Sequence, residues 1–440
     1  MNFDLNRFKE YRENNRLEVK AANGDLPSTL WETYSAFANT YGGCIICGVA
    51  EKKNGFWKTT GLSDLTKLKR DFWNTIHNRS KVSHCLINET DVEEYFVGGD
   101  VILVIKVPRA SKQLKPIFIN NDVYGGTYRR DFEGDYKCTI QEVKAMIRDS
   151  FDSADDRVLD SKVDLDAQTI HSYRVRYNIY HDGSAWTQLD DTDFLIKIGA
   201  LSDQDGVLKQ TAAGLLMFGK EERITREYPN YFLDYREHMI GGIRWTDRIY
   251  SQEPEWSGNV FDFFTRVSAK LELDLKKPFH LVNGIRIDRT PVHDAVREAL
   301  VNCLVNTDFY QPGSVVIEKY PDRIVMANPG TIPVGKEQML KGGITLPRNK
   351  SLFKMLNLIG VGEHAASVVP NIYFAWKEAG LEEPFVEELF GNNLPDRTII
   401  TLPLTETRIY ESYLRQLGYR NKNMMPTLEV MEDNGGYNTN

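Results

Sequence analysis

No run of about eighteen consecutive apolar residues occurs in the 440-residue sequence, and its opening, MNFDLNRFKEYRENN, lacks the apolar segment that directs export. Membrane-spanning and exported classes are set aside on that basis, and a cytoplasmic protein without membrane partners is expected. Cysteine is scarce. Five residues, odd in number and without framework spacing, fit unpaired thiols in a reducing compartment. A basic excess is also missing: the formal charge of −8 gives no overall field for a polyanion, so a nucleic-acid site has to be local. Residues 1–150 hold 22 lysines and arginines against 20 acids, and the remainder 32 against 42, which puts phosphate contact at the front. No internal repeat is visible.

With 41% hydrophobic residues the chain can bury two or three cores. Residues 1–150 read as an α+β unit, with a long helix through Leu30 to Thr40 and apolar strands at Cys44 to Val49 and Val101 to Val107. The acidic, apolar-poor stretch 151–167 suits a linker. Residues 168–285 form a mixed domain that names no chemistry. Residues 286–404 form a second α/β module: helix Pro291 to Asn306, strands Val315 to Lys319, Arg323 to Ala327 and Thr398 to Leu402. The tail, 405–440, is expected to fray.

Two familiar patterns lead nowhere. Cys44 and Cys47 make C-x-x-C, but in an apolar strand residues three apart point to opposite faces, so they read as core thiols. Gly214 to Lys220 satisfies G-x4-G-K with four bulky apolar residues in the loop and Glu221 after the lysine, where a phosphate cradle needs small residues and Ser or Thr. A P-loop helicase motor therefore has no basis in this chain.

The segment YRENNRLEVKAA presents Glu13, Glu18 and Lys20, and Glu51 follows the strand ending at Val49. A carboxylate cluster repels itself unless a cation or a proton relieves it, and Mg²⁺ or Mn²⁺ prefers such oxygen ligands. Glu13, Glu18 and Glu51 would then hold metal for phosphodiester attack, with Lys20 assisting. Solvated surface charges are the alternative. Lys67, Lys69 and Arg70 beside Phe72 and Trp73, and above all Arg129 and Arg130, are the candidate nucleic-acid contacts, cations interleaved with aromatics suiting phosphate and base. The rings at 72 and 73 read better as core.

Glu13-x4-Glu18-Val19-Lys20, followed by SAFANTYGGCIICGV from Ser35 to Val49, resembles the Schlafen/AlbA-like family over the first third of the chain. The resemblance implies an α+β nucleic-acid-binding domain, and in active members a metal-dependent RNA-cleaving site at this Glu, Glu, Lys and acid set. Here Ala50 follows Val49, and Glu51 stands where Asp is common.

In the rear, REALVNCLVNTDFY places Glu298 and Asn302 on one helix face, where a carboxylate could polarise water and an amide oxygen ligate Mg²⁺. An ordinary amphipathic helix explains the same spacing. This run, with DRIVMANPG, Pro347-Arg348-Asn349 and LIGVGEHAASVVPNI, resembles the divergent branch of the gyrase/histidine-kinase (Bergerat, GHKL) ATPases, sometimes named for a RecG-like C-terminus. The resemblance implies an α/β sandwich that binds ATP, with Glu298, Asn302, Asn328, Gly330, Gly362 and Ser367 around the nucleotide. Asn328 replaces the usual acid. Ala366-Ser367-Val368-Val369 stands where relatives have Gly-Ser-Gly-Ile, removing the φ freedom of a phosphate-wrapping lid, so binding is expected ahead of turnover.

The resulting expectation is an α+β multidomain, nucleic-acid-binding protein with an ATP-binding module: a Mg- or Mn-dependent endonuclease acting on RNA ahead of DNA, in stress response or phage defence. A non-catalytic DNA-binding transcriptional regulator that senses a nucleotide is the alternative. A single AlbA-like lobe offers half of the paired clamp of longer Schlafens, so a homodimer is expected.

Overall fold

The strand Gly43–Cys47 shows how the front domain is made: alternate residues of Gly-Cys-Ile-Ile-Cys are apolar on both faces, so both faces are covered. The structure is a computed structural model describing residues 8, 11, 13–22, 24–52, 56–150, 157–239, 244–273, 275, 281–282, 285–286, 290–344, 346–361, 368–390 and 395–406. The front runs β1 (Leu17–Lys20), α1 (Thr29–Asn39), β2 (Gly43–Cys47), β3 (Val49–Glu51), β4 (Trp57–Thr59), α2 (Leu65–Ile76), β5 (Val92–Val97), β6 (Asp100–Val107), β7 (Tyr128–Asp131), β8 (Gly134–Lys137) and α3 (Ile140–Ser150). Its sheet has the order β1-β2-β6-β5, with β1 parallel to β2 and the other pairs antiparallel.

Ile45 and Cys47 enter the core formed with α1 and α2, around Tyr34, Phe37 and Phe72. Cys44 and Ile46 face the other way, against Phe8, Tyr11 and Val19. The two thiols thus lie on opposite faces, and the described cysteines are free. Helix α2 begins where the Asp64 carboxylate accepts the Lys67 N–H at 2.9 Å, an N-cap that satisfies one orphan donor of the first turn.

Behind it follow α4 (Ala167–Tyr180), α5 (Asp191–Ile198), β9 (Leu201–Gln204), β10 (Val207–Gln210), α6 (Ala212–Phe218), α7 (Glu221–Glu227), β11 (Leu233–His238), β12 (Trp245–Tyr250) and α8 (Val260–Glu272). The chain continues through β13 (Leu281–Val282), β14 (Ile285–Arg286), α9 (Pro291–Val305), β15 (Val315–Lys319), β16 (Arg323–Pro329), α10 (Lys336–Lys341), α11 (Lys350–Asn357), α12 (Val368–Glu378), β17 (Phe385–Leu389) and β18 (Arg397–Pro403). From Gly214 to Phe218 the G-x4-G-K stretch lies in helix α6, which is buried along its whole length, and it is not a phosphate loop.

The expected division at 285/286 does not separate two cores. One six-stranded sheet, ordered β12-β11-β15-β16-β18-β17, takes its first two strands from before that point and the rest from after it. Strand β11 pairs parallel with β15, and a single apolar core runs from Leu159 to Leu402, to which α8, α9, α11 and α12 contribute. The expected linker is shortened for the same reason. From residue 157 the chain already packs: Leu159 is buried and donates its N–H to Gln210, while Asp166 donates to Phe218. The molecule is α+β and multidomain, and among the described residues no helix is long and apolar enough to cross a membrane. Residues 151–156 and all of the tail beyond Glu406 lie outside the described residues.

Candidate functional site

The N-terminal carboxylates cluster at the edge of the front sheet. Glu13 accepts the Val19 N–H at 2.9 Å, which ties the segment before β1 to the strand itself. Glu18, on β1, gives one oxygen to the Lys20 ammonium at 2.6 Å and the other to Arg130 at 2.7 Å. Glu51 closes β3 at the exposed rim. Burial pushes the Glu13 carboxyl above its ordinary range; the Val19 N–H opposes this, and repulsion from Glu18 and Glu51 adds to it. All four residues of the expected constellation are therefore neighbours.

Hard-oxygen chemistry suits Mg²⁺ or Mn²⁺, but the geometry does not complete a site for either. Among the described residues no three His, Cys, Asp or Glu side chains converge as metal ligands. Both Glu18 oxygens already face fixed cations, so a divalent ion would compete there with Lys20 and Arg130. As folded, Glu18 is neutralised by the protein's own Lys20 and Arg130.

Arg130, expected on a nucleic-acid surface, is buried, its side chain 1% exposed. It donates to Asp135 at 2.8 Å and to the Asn14 carbonyl at 3.0 Å, and its guanidinium lies over the Phe37 ring. Its place is to hold Glu18, not to meet phosphate. The alternation in Tyr-Arg-Arg-Asp was the missed signal, because neighbouring strand residues point to opposite faces. Arg129 faces the other way, paired with Glu142 at 2.9 Å. On α2, Lys67 and Lys69 pair with Asp25 and Glu94, and Arg70 is two-thirds exposed beside Asp71. Phe72 is core, as its spacing implied.

The rear cavity, of 110 Å³, opens beside α9 and is walled by Ile332, Val334, Met339, Ile344 and Val386 with the amides of Asn302 and Asn328. Asn328 donates its amide N–H to the Pro329 carbonyl and Asn302 donates to the Glu298 carbonyl, leaving both side-chain carbonyl oxygens without a donor among the described residues. Apolar walls and open acceptors fit a flat ring bearing an amino group. At 110 Å³ the space is smaller than the apolar cavity of about 150 Å³ that accepts benzene, so a purine would enter it only in part and a triphosphate would lie outside. Asn302 lines the cavity. Glu298, one turn earlier and buried, does not.

Gly330 also stands apart from the cavity. Its φ is +98°, and a Cβ there would lie 2.3 Å from the Arg348 guanidinium, so the glycine makes room for an arginine rather than a phosphate. Gly362 and Ser367 lie outside the described residues.

Sequence reasoning missed what joins the two halves. Arg109 binds Glu388 through two bonds of 2.6 and 3.0 Å, Arg348 binds Asp149 at 2.8 and 3.0 Å, and Arg148 meets Asp308. Tyr41 packs edge-on against Phe390. These partners are far apart in the chain, and no local pattern announces them.

Family models match three stretches: "Schlafen, AlbA_2" over residues 13–139, a domain of unknown function over 144–234, and "Putative ATP-dependent DNA helicase recG C-terminal" over 313–392. No curated protein matches. Among solved structures, the DIP2311 protein of Corynebacterium diphtheriae is 19% identical with a TM-score of 0.44, covering 88% of this chain; the alignment spans 64% of that chain's length. The N-terminal domain of a "Putative ATP-dependent DNA Helicase RecG-related Protein" from Nitrosomonas europaea is 28% identical with a TM-score of 0.23, covering 31% of this chain and 91% of its own.

Proposed function

The chain carries a Schlafen AlbA_2 domain at its front and a recG-type C-terminal domain at its rear, and from that premise we propose a nucleic-acid-binding protein whose rear domain receives an adenine nucleotide. The observation that favours gripping over cutting is Glu18, with both oxygens held by Lys20 and Arg130. In this reading the front domain contacts the polymer through exposed cations such as Lys69 and Arg70, whose surface ion pairs are weak enough to exchange for phosphate. In the rear, the Asn328 carbonyl oxygen accepts from the adenine amino group between apolar walls. Two copies of the single lobe would complete a clamp, which light scattering tests by looking for a dimer.

Metal-dependent cleavage is the second reading, favoured by the proximity of Glu13, Glu18 and Glu51. Labelled transfer RNA and single-stranded DNA, incubated with Mn²⁺ or Mg²⁺ with and without ATP, separate the two when wild type is compared with Glu18→Gln. The grip reading expects binding without cleavage by wild type. Cleavage by wild type that Glu18→Gln abolishes while still binding would replace it with a nuclease.

A further inference from the structure

Between the front and rear domains lies a second cavity, of 390 Å³. The front supplies Arg109, Lys112, Lys115 and Arg129 to its wall; the rear supplies Gln311, Asp396 and the Phe390 ring. Three of these cations are engaged: Arg109 with Glu388, Arg129 with Glu142, and Lys112 also has a partner. Lys115 differs. Its ammonium carries three donors, of which one goes to the Asn39 carbonyl, and no carboxylate among the described residues lies within ion-pair reach.

The neighbouring acids are committed elsewhere. Asp149 is bound to Arg348, and Glu388 accepts both Arg109 and the Ile332 N–H at 2.8 Å. With Arg348 and Glu388 included, five cations face Glu142, Asp149, Glu388 and Asp396, leaving one positive charge in excess. Enclosure by protein, with Arg109 alongside, pulls the Lys115 ammonium down to about 7, against the attraction of Glu388, Asp396 and Asp149. A buried cation short of partners either sheds its proton or takes an anion.

We propose that this interdomain cavity binds a small phosphate-bearing molecule, with the phosphate accepting the two remaining Lys115 donors and the rest of the ligand lying against Phe390 and Gln311. Lysine is suited to phosphate as a point charge on a flexible stem. A cavity of 390 Å³ lies in the range of small-molecule sites. Ile332 and Pro333 form part of its wall and part of the wall of the Asn302/Asn328 cavity, so an occupant also braces the partition between the two. Because the site draws on both domains, its ligand stabilises their docking.

The test is calorimetric titration of the full chain with sulfate, phosphate and pyrophosphate at constant ionic strength, at pH 6 and pH 8.5. Sulfate keeps its charge across that range, so any pH dependence of its binding comes from the protein. Wild type is expected to bind all three anions, to lose sulfate affinity as Lys115 deprotonates, and to lose about tenfold or more in Lys115→Met. Lys115→Arg, charged throughout, is expected to bind sulfate equally at both values; it also answers the question should Lys115→Met not fold. Absence of binding at millimolar anion, unchanged affinity in Lys115→Met, or a wild-type pH dependence in Lys115→Arg would overturn the site. A 5′-phosphorylated oligonucleotide is expected not to compete with sulfate. Competition would assign the phosphate to nucleic acid instead.

Discussion

In the front pocket Glu18 gives both carboxylate oxygens to Lys20 and Arg130; in the rear cavity Asn302 and Asn328 leave their carbonyl oxygens without a protein donor. The contrast follows from charge. Ionised groups taken from water need counter-charges built into the fold, and once those are built, a metal has to compete with them for the carboxylate oxygens. Neutral amides are cheaper to bury, so a cavity lined by them can keep an acceptor in reserve for a ligand. Motif resemblance ranked the front as the more chemically active site, whereas the geometry leaves the rear the more receptive one.

The comparison breaks most visibly at Arg130. Arg130→Met leaves Asp135 without its cation and Glu18 with Lys20 alone, and is expected to cost about 3–5 kcal/mol, read as a lower denaturation midpoint for the front domain. Adding Glu18→Gln should recover part of that loss; no recovery would mean that the ion pair does not govern the pocket. A smaller effect is expected in the rear. Wild type should prefer ADP to IDP, whose ring presents a carbonyl to Asn328 in place of the amino group, and Asn328→Leu should remove roughly tenfold of that preference in a titration.

Glu13 sharpens the contrast through pH. Its folded carboxyl sits above the ordinary value of 4.5, so between these two values the native state holds a proton that the unfolded chain has lost. Stability from this group therefore falls as pH rises through that window. Glu13→Gln should consequently raise the front-domain midpoint at pH 7.5 and lose the advantage below the ordinary carboxylate range; an equal effect at both would show that repulsion and burial are not the cause. The smallest change belongs to the surface. Lys69→Ala and Arg70→Ala should leave the melting midpoint in place while each lowers the salt slope of nucleic-acid binding by about one.

Much of the fold was legible from local pattern. The apolar alternation of β2 placed Cys44 and Cys47 on opposite faces, and the bulk of Leu215 to Phe218 excluded a phosphate loop. The proximity of Glu13, Glu18, Lys20 and Glu51 was also readable, because it rests on one short segment and the end of the strand beside it. The boundary at 285/286 was not, since β11 finds its partner β15 across some eighty residues and strand pairing over that distance leaves no local trace. Arg130 was misplaced because cations in an aromatic-rich strand look alike until the burial of each face is known.

The sequence alone determined which segments could be strand or helix, which thiols would be core, and which carboxylates could meet, because periodicity and chain proximity decide those matters. Tertiary structure decided what the charged groups do. Whether a glutamate binds a metal or an arginine, and whether a lysine faces phosphate or a cavity, depends on counter-charges brought from far along the chain. Arg109 and Glu388, 279 residues apart, are the clearest case. Coulomb energy in a partly buried site is set by distances of a few ångströms, and only the folded chain fixes those.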